Sequence, residues 1–249
     1  FNNAEFNTAL NFNKFGRINK KNFISQEANN SLIAILGDSH AMGWGVNDHN
    51  TFSSLLQDKL NKKVYNLAVS SYGTSRELIR LKNLNLQNEI NTIIIQYSPN
   101  DLYENYNFIA SDTLENKKKF EILTSQKETK LFYKIKFISK RFKKSFRILY
   151  LEIKNLVLKK RKIINFDDHY AALSSVLEKF EIFKDKKIII FYIDKDYKFT
   201  NFPEGNDKNF TNIKFVKLSL TKNDFFVVDD HLNKTGHASV AEQLIPYLN

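Results

Sequence analysis

The stretch Ser31–His40 reads SLIAILGDSH. Its short apolar run, Ser31–Leu36 (SLIAIL), ends at Gly37. A continuous apolar run of this length suits a strand covered on both faces, as in a parallel sheet flanked by helices. Gly37 ends the run, and Asp38-Ser39-His40 follows. A serine on such a tight strand-to-helix turn can present its hydroxyl at the sheet edge, where ligands bind in open parallel sheets. Asp and Ser also favour ordinary turns and helix N-caps, so the tripeptide alone decides nothing.

The same grammar repeats along the chain. Thr51 caps a predicted helix, TFSSLLQDKL, and Lys63–Val69 (KVYNLAV) reads as a second strand. A helix over Thr74–Leu84 follows, with Thr74 and Glu77 at capping-box spacing. Thr92–Tyr97 (TIIIQY) is a third strand, stopped by Pro99. Later, His169–Phe183 reads as a helix, Lys187–Ile193 and Ile213–Leu220 as strands, and Lys234–Leu248 as a closing helix. Alternating strands and helices of this kind indicate an α/β fold with a doubly wound parallel sheet. Residues 1–30 are polar and Asn-rich and read as an N-terminal arm, leaving a domain over 31–249.

Composition narrows the possibilities. The 249 residues carry 38 Lys and Arg against 27 Asp and Glu, a formal net charge of +11. Such a balance suits an anionic neighbour, though a Lys- and Asn-rich compositional bias produces it equally well. Cysteine is absent, which excludes disulfide and cysteine–metal frameworks. No apolar run reaches membrane-spanning length, so the chain is read as soluble, with a removed upstream signal or anchor left open.

Four short blocks carry chemistry-bearing residues. Gly37-Asp38-Ser39-His40 follows the first strand, and Asn66–Thr74 (NLAVSSYGT) follows the second. Ser98-Pro99-Asn100-Asp101 follows the third, and Asp229-Asp230-His231-Leu-Asn233 precedes the last helix. The second block could offer a backbone N–H to an oxyanion, and Asn100 could offer its amide. An Asp shortly before a His can fix the imidazole tautomer. The remaining histidines, His49, His169 and His237, show no metal-ligand spacing and read as structural or surface groups. His40, beside Ser39, is a candidate for the pocket wall.

Taken in order, the four blocks resemble those of the SGNH/GDSL hydrolases. The resemblance covers most of Ser31–Asn249. It implies a three-layer αβα fold with a flavodoxin-like parallel sheet of about five strands. It also implies Ser39 as nucleophile and His231 as general base. The oxyanion donors would be Ser39, Asn100 and a residue of the second block. That last donor is open between Ser71, at the family's usual spacing from Asn66, and Gly73, the nearest glycine. Ser98 stands where the family usually has Gly. Val228 stands where the triad Asp usually lies, three before His. Asp229, two before His, matches the spacing in alginate-type acetyltransferases and is the acid expected here, with Asp230 a solvated neighbour or substrate contact.

The function so implied is acyl-ester hydrolysis or acyl transfer on O-acylated, acetylated carbohydrate, without cofactor or metal, by an extracytoplasmic or membrane-associated bacterial enzyme. Lipase or thioesterase activity, and an inactive glycan- or membrane-binding module, stay open. Between the third and fourth strands lies an insertion, roughly Leu102–Asn165. Within it, Lys130–Ile163 carries apolar residues at spacings of three and four, from Phe132 to Leu156, and a dense basic face. It is expected to form amphipathic helix that meets an anionic membrane or glycan surface. Nucleic acid is not an expected partner, because no nucleic-acid motif accompanies the charge.

Overall fold

The computed structural model of the chain describes residues 5–19, 32–86, 88–110, 162–193, 195 and 197–248. The first strand, β1 (Leu32–Leu36), lies between β2 (Val64–Asn66) and β3 (Ile90–Tyr97). The sheet continues through β5 (Lys187–Tyr192) and β8 (Ile213–Val216) to β7 (Gly205–Asn206), giving the six-stranded order β2-β1-β3-β5-β8-β7. All neighbours pair in parallel except β7, which runs antiparallel to β8 at the edge. The architecture is the α/β class expected, with one antiparallel edge strand added.

Every residue of β1 is buried, and alternate residues enter different cores. Leu32, Ala34 and Leu36 face a layer containing α3 (Thr74–Asn83) and α5 (Phe166–Glu178), while Ile33 and Ile35 face α2 (Phe52–Leu60) and α6 (Lys234–Leu244). This two-sided burial is why the strand reads as an unbroken apolar run. Each fully buried Leu or Ile side chain contributes about 1.5–3 kcal/mol.

β1 has β2 on one side and β3 on the other, so the chain reverses its direction of winding there. The crevice at the C-terminal ends of such strands is where open α/β sheets bind ligands. α1 (Ser39–Met42) starts just beyond β1, and α4 (Asp101–Ala110) starts just beyond β3.

Several boundaries differ from the sequence reading. α3 is capped by Gly73, and the Thr74 hydroxyl donates to Asp101 Oδ2 at 2.8 Å, so no capping box forms with Glu77. The helix expected over His169–Phe183 starts at Phe166 and ends at Glu178, with a 3-10 turn at Glu181–Phe183. The last residues of the expected amphipathic helix are strand instead. β4 (Lys162–Asn165) pairs in parallel with β6 (Tyr197–Thr200) in a separate two-stranded sheet. The rest of Lys130–Ile163 lies outside the described residues.

Residues 5–19 pack onto the domain. Arg17 is 3% exposed and pairs with Asp48 at 2.9 Å. Its guanidinium also donates to the carbonyls of Met42 (2.8 Å), Gly43 and Val46 (2.6 Å). These carbonyls lie at and beyond the end of α1, so a charged donor satisfies acceptors that the short helix leaves open.

α3 carries a buried acid that feels the carboxyls of Asp101 and Glu104 on α4. Glu77 is 1% exposed, and neither carboxyl oxygen has a hydrogen-bond partner among the described residues. Burial, reinforced by Asp101, Asp38 and Glu104, pushes its carboxyl well above the usual range against the opposing Arg76, and burial does the same to Asp101. The folded chain therefore keeps a proton that the unfolded chain releases above about pH 4.3. Stability should fall as pH rises from there towards the folded value. Glu77→Gln removes one ionisable group, so its stability should decline less steeply than the wild type's between pH 5 and 8. Parallel thermal-unfolding profiles for the two proteins would contradict this account.

Candidate active site

Gly37 ends β1 with φ +147°, a backbone conformation that side chains rarely adopt. A Cβ there would stand 2.6 Å from the Ala41 Cβ, so glycine lets the chain turn directly into α1. Asp38 is the N-cap of that helix and accepts the His40 N–H at 2.8 Å. Its other carboxyl oxygen accepts the Ser98 hydroxyl at 2.7 Å. Ser98 in turn accepts from Gln96 Nε2 at 2.8 Å, and Gln96 Oε1 accepts the Asp38 N–H at 3.2 Å. Ser98 is thus part of a buried network joining the ends of β1 and β3.

Ser39 is partly exposed at the first position of α1. Its Oγ lies 2.7 Å from His231 Nε2, and His231 Nδ1 lies 2.5 Å from Asp229 Oδ1. Asp229 Oδ1 also accepts the His231 backbone N–H at 3.1 Å. Partial burial pushes the Asp229 carboxyl up, but the hydrogen bonds from His231 prevail and hold it below the usual range. Asp230 turns to Lys195 at 3.4 Å, with its side chain 57% exposed. The two candidate acids are therefore separated by position, with Asp229 on the imidazole and Asp230 beside the part-buried Lys195.

The loop carrying these residues is held from two sides. Lys195 Nζ donates to the carbonyls of Phe226 (2.7 Å) and Asp229 (2.9 Å). The Glu5 carboxylate accepts the N–H groups of Val227 (2.5 Å), Val228 (2.9 Å) and Asp229 (2.6 Å). Sequence reading missed both, because Glu5 and Lys195 are distant from His231 in the chain and belong to no motif.

The other predicted residues divide. Asn100 is exposed just beyond β3, and its side-chain amide has no hydrogen-bond partner among the described residues. Ser71 has a left-handed backbone, φ +64°, and its N–H makes no backbone hydrogen bond among the described residues. Gly73 is extended rather than left-handed, and its N–H donates to the Glu104 carboxylate at 3.1 Å. The Gly73 N–H is therefore occupied, while that of Ser71 makes no backbone hydrogen bond among the described residues.

His40 lines the site, its ring 4.7 Å from that of His231. Burial lowers its pKa below the ordinary histidine value against the pull of Asp38, so the ring is neutral at pH 7. Trp44 stands behind, 6.3 Å from the His231 ring. His237 is fully buried beside Phe52, and burial pulls it down to about 3. His169 bonds Tyr97 Oη at 3.0 Å within an aromatic cluster, and His49 is exposed. Among the described residues, no group of three or more His, Cys, Asp or Glu could hold a metal ion. Nor is any described helix long and apolar enough to cross a membrane.

An open cavity of about 540 Å³ adjoins this site. Phe226 and Gly45 are in its wall, along with Asn47, Asn50, Asn233 and Thr235. Phe226 donates its N–H to the His231 carbonyl at 3.0 Å, and Gly45 follows Trp44, but neither Ser39 nor His231 lines the cavity.

No family model matches the chain, and no curated protein matches its sequence. Solved structures do resemble it. TesA has a TM-score of 0.47 and 12% identity, over 88% of this chain and 98% of that one. The psychrotrophic esterase EstA from Pseudoalteromonas sp. has 0.45 and 13%, over 88% and 98%. A member of the lipolytic G-D-S-L family from Veillonella parvula has 0.42 and 10%, over 87% and 97%. In its fold and in the order of its four motif blocks, this chain is similar to the SGNH/GDSL hydrolases.

Proposed function

We propose that the protein is a serine esterase that cleaves short acyl esters of carbohydrate through an acyl-enzyme. One observation carries this reading: Ser39 Oγ, His231 Nε2 and His231 Nδ1, Asp229 Oδ1 form one hydrogen-bonded line, with steps of 2.7 and 2.5 Å. Ser39 attacks the ester carbonyl while its proton passes to His231 Nε2. Asp229 holds the opposite nitrogen and stabilises the imidazolium that forms. The oxyanion receives the Ser39 and Ser71 N–H groups and the Asn100 amide; losing one such donor costs about 2.7–4 kcal/mol of barrier. His231 then protonates the departing sugar oxygen. Water resolves the acyl-enzyme in an esterase, and a second sugar hydroxyl resolves it in a transferase.

The carbohydrate part of the proposal is supported by the two-residue spacing of Asp229 from His231. The basic segment over 130–163 remains the proposed contact with an anionic membrane or glycan.

A fluorophosphonate probe should label Ser39, and Ser39→Ala should abolish both labelling and turnover. Labelling of a different residue, or none, would end the esterase reading. Acetyl esters should be cleaved in preference to long-chain acyl esters, with acetylated polysaccharide and free acceptor separating hydrolysis from transfer.

Replacing the acid tests its role separately. Asp229→Asn should lower kcat by roughly 10⁴, because the imidazole tautomer is no longer held. Asp230→Asn should stay within a few-fold of wild type, since Asp230 is half-exposed and Lys195 keeps its bonds to the Phe226 and Asp229 carbonyls. Rate measurements giving the opposite order would transfer the role to Asp230.

A further inference from the structure

The loop after β2 reaches the site under close constraint. Val69 N–H donates to the Gly37 carbonyl at 3.0 Å, which ties the loop to the turn that presents Ser39. Two residues later, Ser71 takes φ +64°. A left-handed backbone at a residue other than glycine persists only where its surroundings over-determine it.

Those surroundings are a buried ion pair. Arg76 on α3 and Glu104 on α4 are 8% and 6% exposed and meet at 2.6 Å between Nη2 and Oε2. Arg76 Nε adds a second bond to Oε2 at 2.7 Å. The same carboxylate accepts the Gly73 N–H, the Ser75 hydroxyl and the Arg76 N–H, each at 3.1 Å. Arg76 Nη2 also donates to the Ser71 carbonyl, and its guanidinium lies 4.3 Å from the centre of the Tyr72 ring. Glycine is needed at 73, because a Cβ would come within 2.9 Å of Glu104 Cδ.

We propose that Arg76 and Glu104 are positioning residues for the reaction. They hold the 69–73 loop so that Ser71, not Gly73, supplies its oxyanion donor. Glu104 takes up the competing Gly73 N–H, and Arg76 pins the Ser71 carbonyl on the side away from the acyl group. A buried ion pair is weak evidence of a stabilising role, since desolvation consumes most of its attraction. Here it fixes one loop conformation among several. The inference rests on the esterase reading, whose own failure appears first, as a wild-type protein that neither labels at Ser39 nor cleaves esters.

The test uses the full chain carrying Arg76→Met, Arg76→Lys, Glu104→Gln or the double change Arg76→Met with Glu104→Gln. The double variant leaves no orphan charge, and Glu104→Gln keeps the side chain's volume, so the test does not depend on Arg76→Met folding. kcat and KM are measured on a short acetyl ester, with active sites counted by phosphonate titration. The affinity of a trifluoromethyl ketone, which forms a tetrahedral adduct on the serine, is measured alongside. Arg76→Met and Glu104→Gln should lower kcat per titrated site about 10- to 100-fold. KM should stay within about twofold, and the ketone should weaken by the same factor as kcat. Arg76→Lys, which keeps the charge, should recover part of the loss. An unchanged kcat per titrated site, with fewer sites titrating, would make the pair merely structural and overturn the proposal. An equal loss in ester KM and ketone affinity would overturn it as well.

Discussion

Everything at the site hangs on where Ser39 leaves the sheet, and that point is set by the carboxylate of Asp38. One of its oxygens caps α1 through the His40 N–H, and the other accepts the Ser98 hydroxyl at the end of β3. Gln96 closes the circuit by bonding both the Asp38 N–H and Ser98. Two adjacent parallel strands are joined side chain to backbone at the level where the Ser39 turn begins. Arg17 fastens the far end of the same short helix by occupying its carbonyls. A four-residue helix has little cooperativity of its own and depends on being held at both ends.

Much of the fold was legible because its signals are local. The apolar runs that became β1, β3 and β5 are buried on both faces, and a run of that kind has few alternatives. Ser39, His231 and Asp229 were legible because each lies within a few residues of a strand end or helix start, in a recognisable spacing. Choosing between Ser71 and Gly73 was not possible on those terms. Glycine is the natural guess for a left-handed turn, yet the positive φ belongs to Ser71, and Gly73 is small for another reason, the approach of Glu104. That approach comes from α4, which follows β3 in the chain, and spacing within a motif carries no information about it. Glu5, Arg17 and Lys195 were invisible for the same reason. The capping box at Thr74 and Glu77 failed because tertiary partners claimed Thr74 and buried Glu77.

Acidic side chains lie on both sides of the site. Glu77 and Asp101 are buried behind it, and burial raises both carboxyls. Asp38 and Asp229 stand at Ser39 and His231 themselves, the first capping α1 and the second bonded to the imidazole. Neutral His40 and the ring of Trp44 complete the surroundings.

The Glu5 carboxylate spans three consecutive N–H groups at residues 227–229, separated from it by 222 to 224 positions. Contacts of that separation form late, since closing so long a loop costs entropy before any other contact repays it. During synthesis, the segment around Glu5 emerges early and must wait for the loop that bears His231. The loop acquires its final shape only once nearly the whole domain has been made and the sheet between them has closed. The arrangement of Ser39, His231 and Asp229 therefore depends on contacts between the two ends of the described chain, and not on the β1 turn alone.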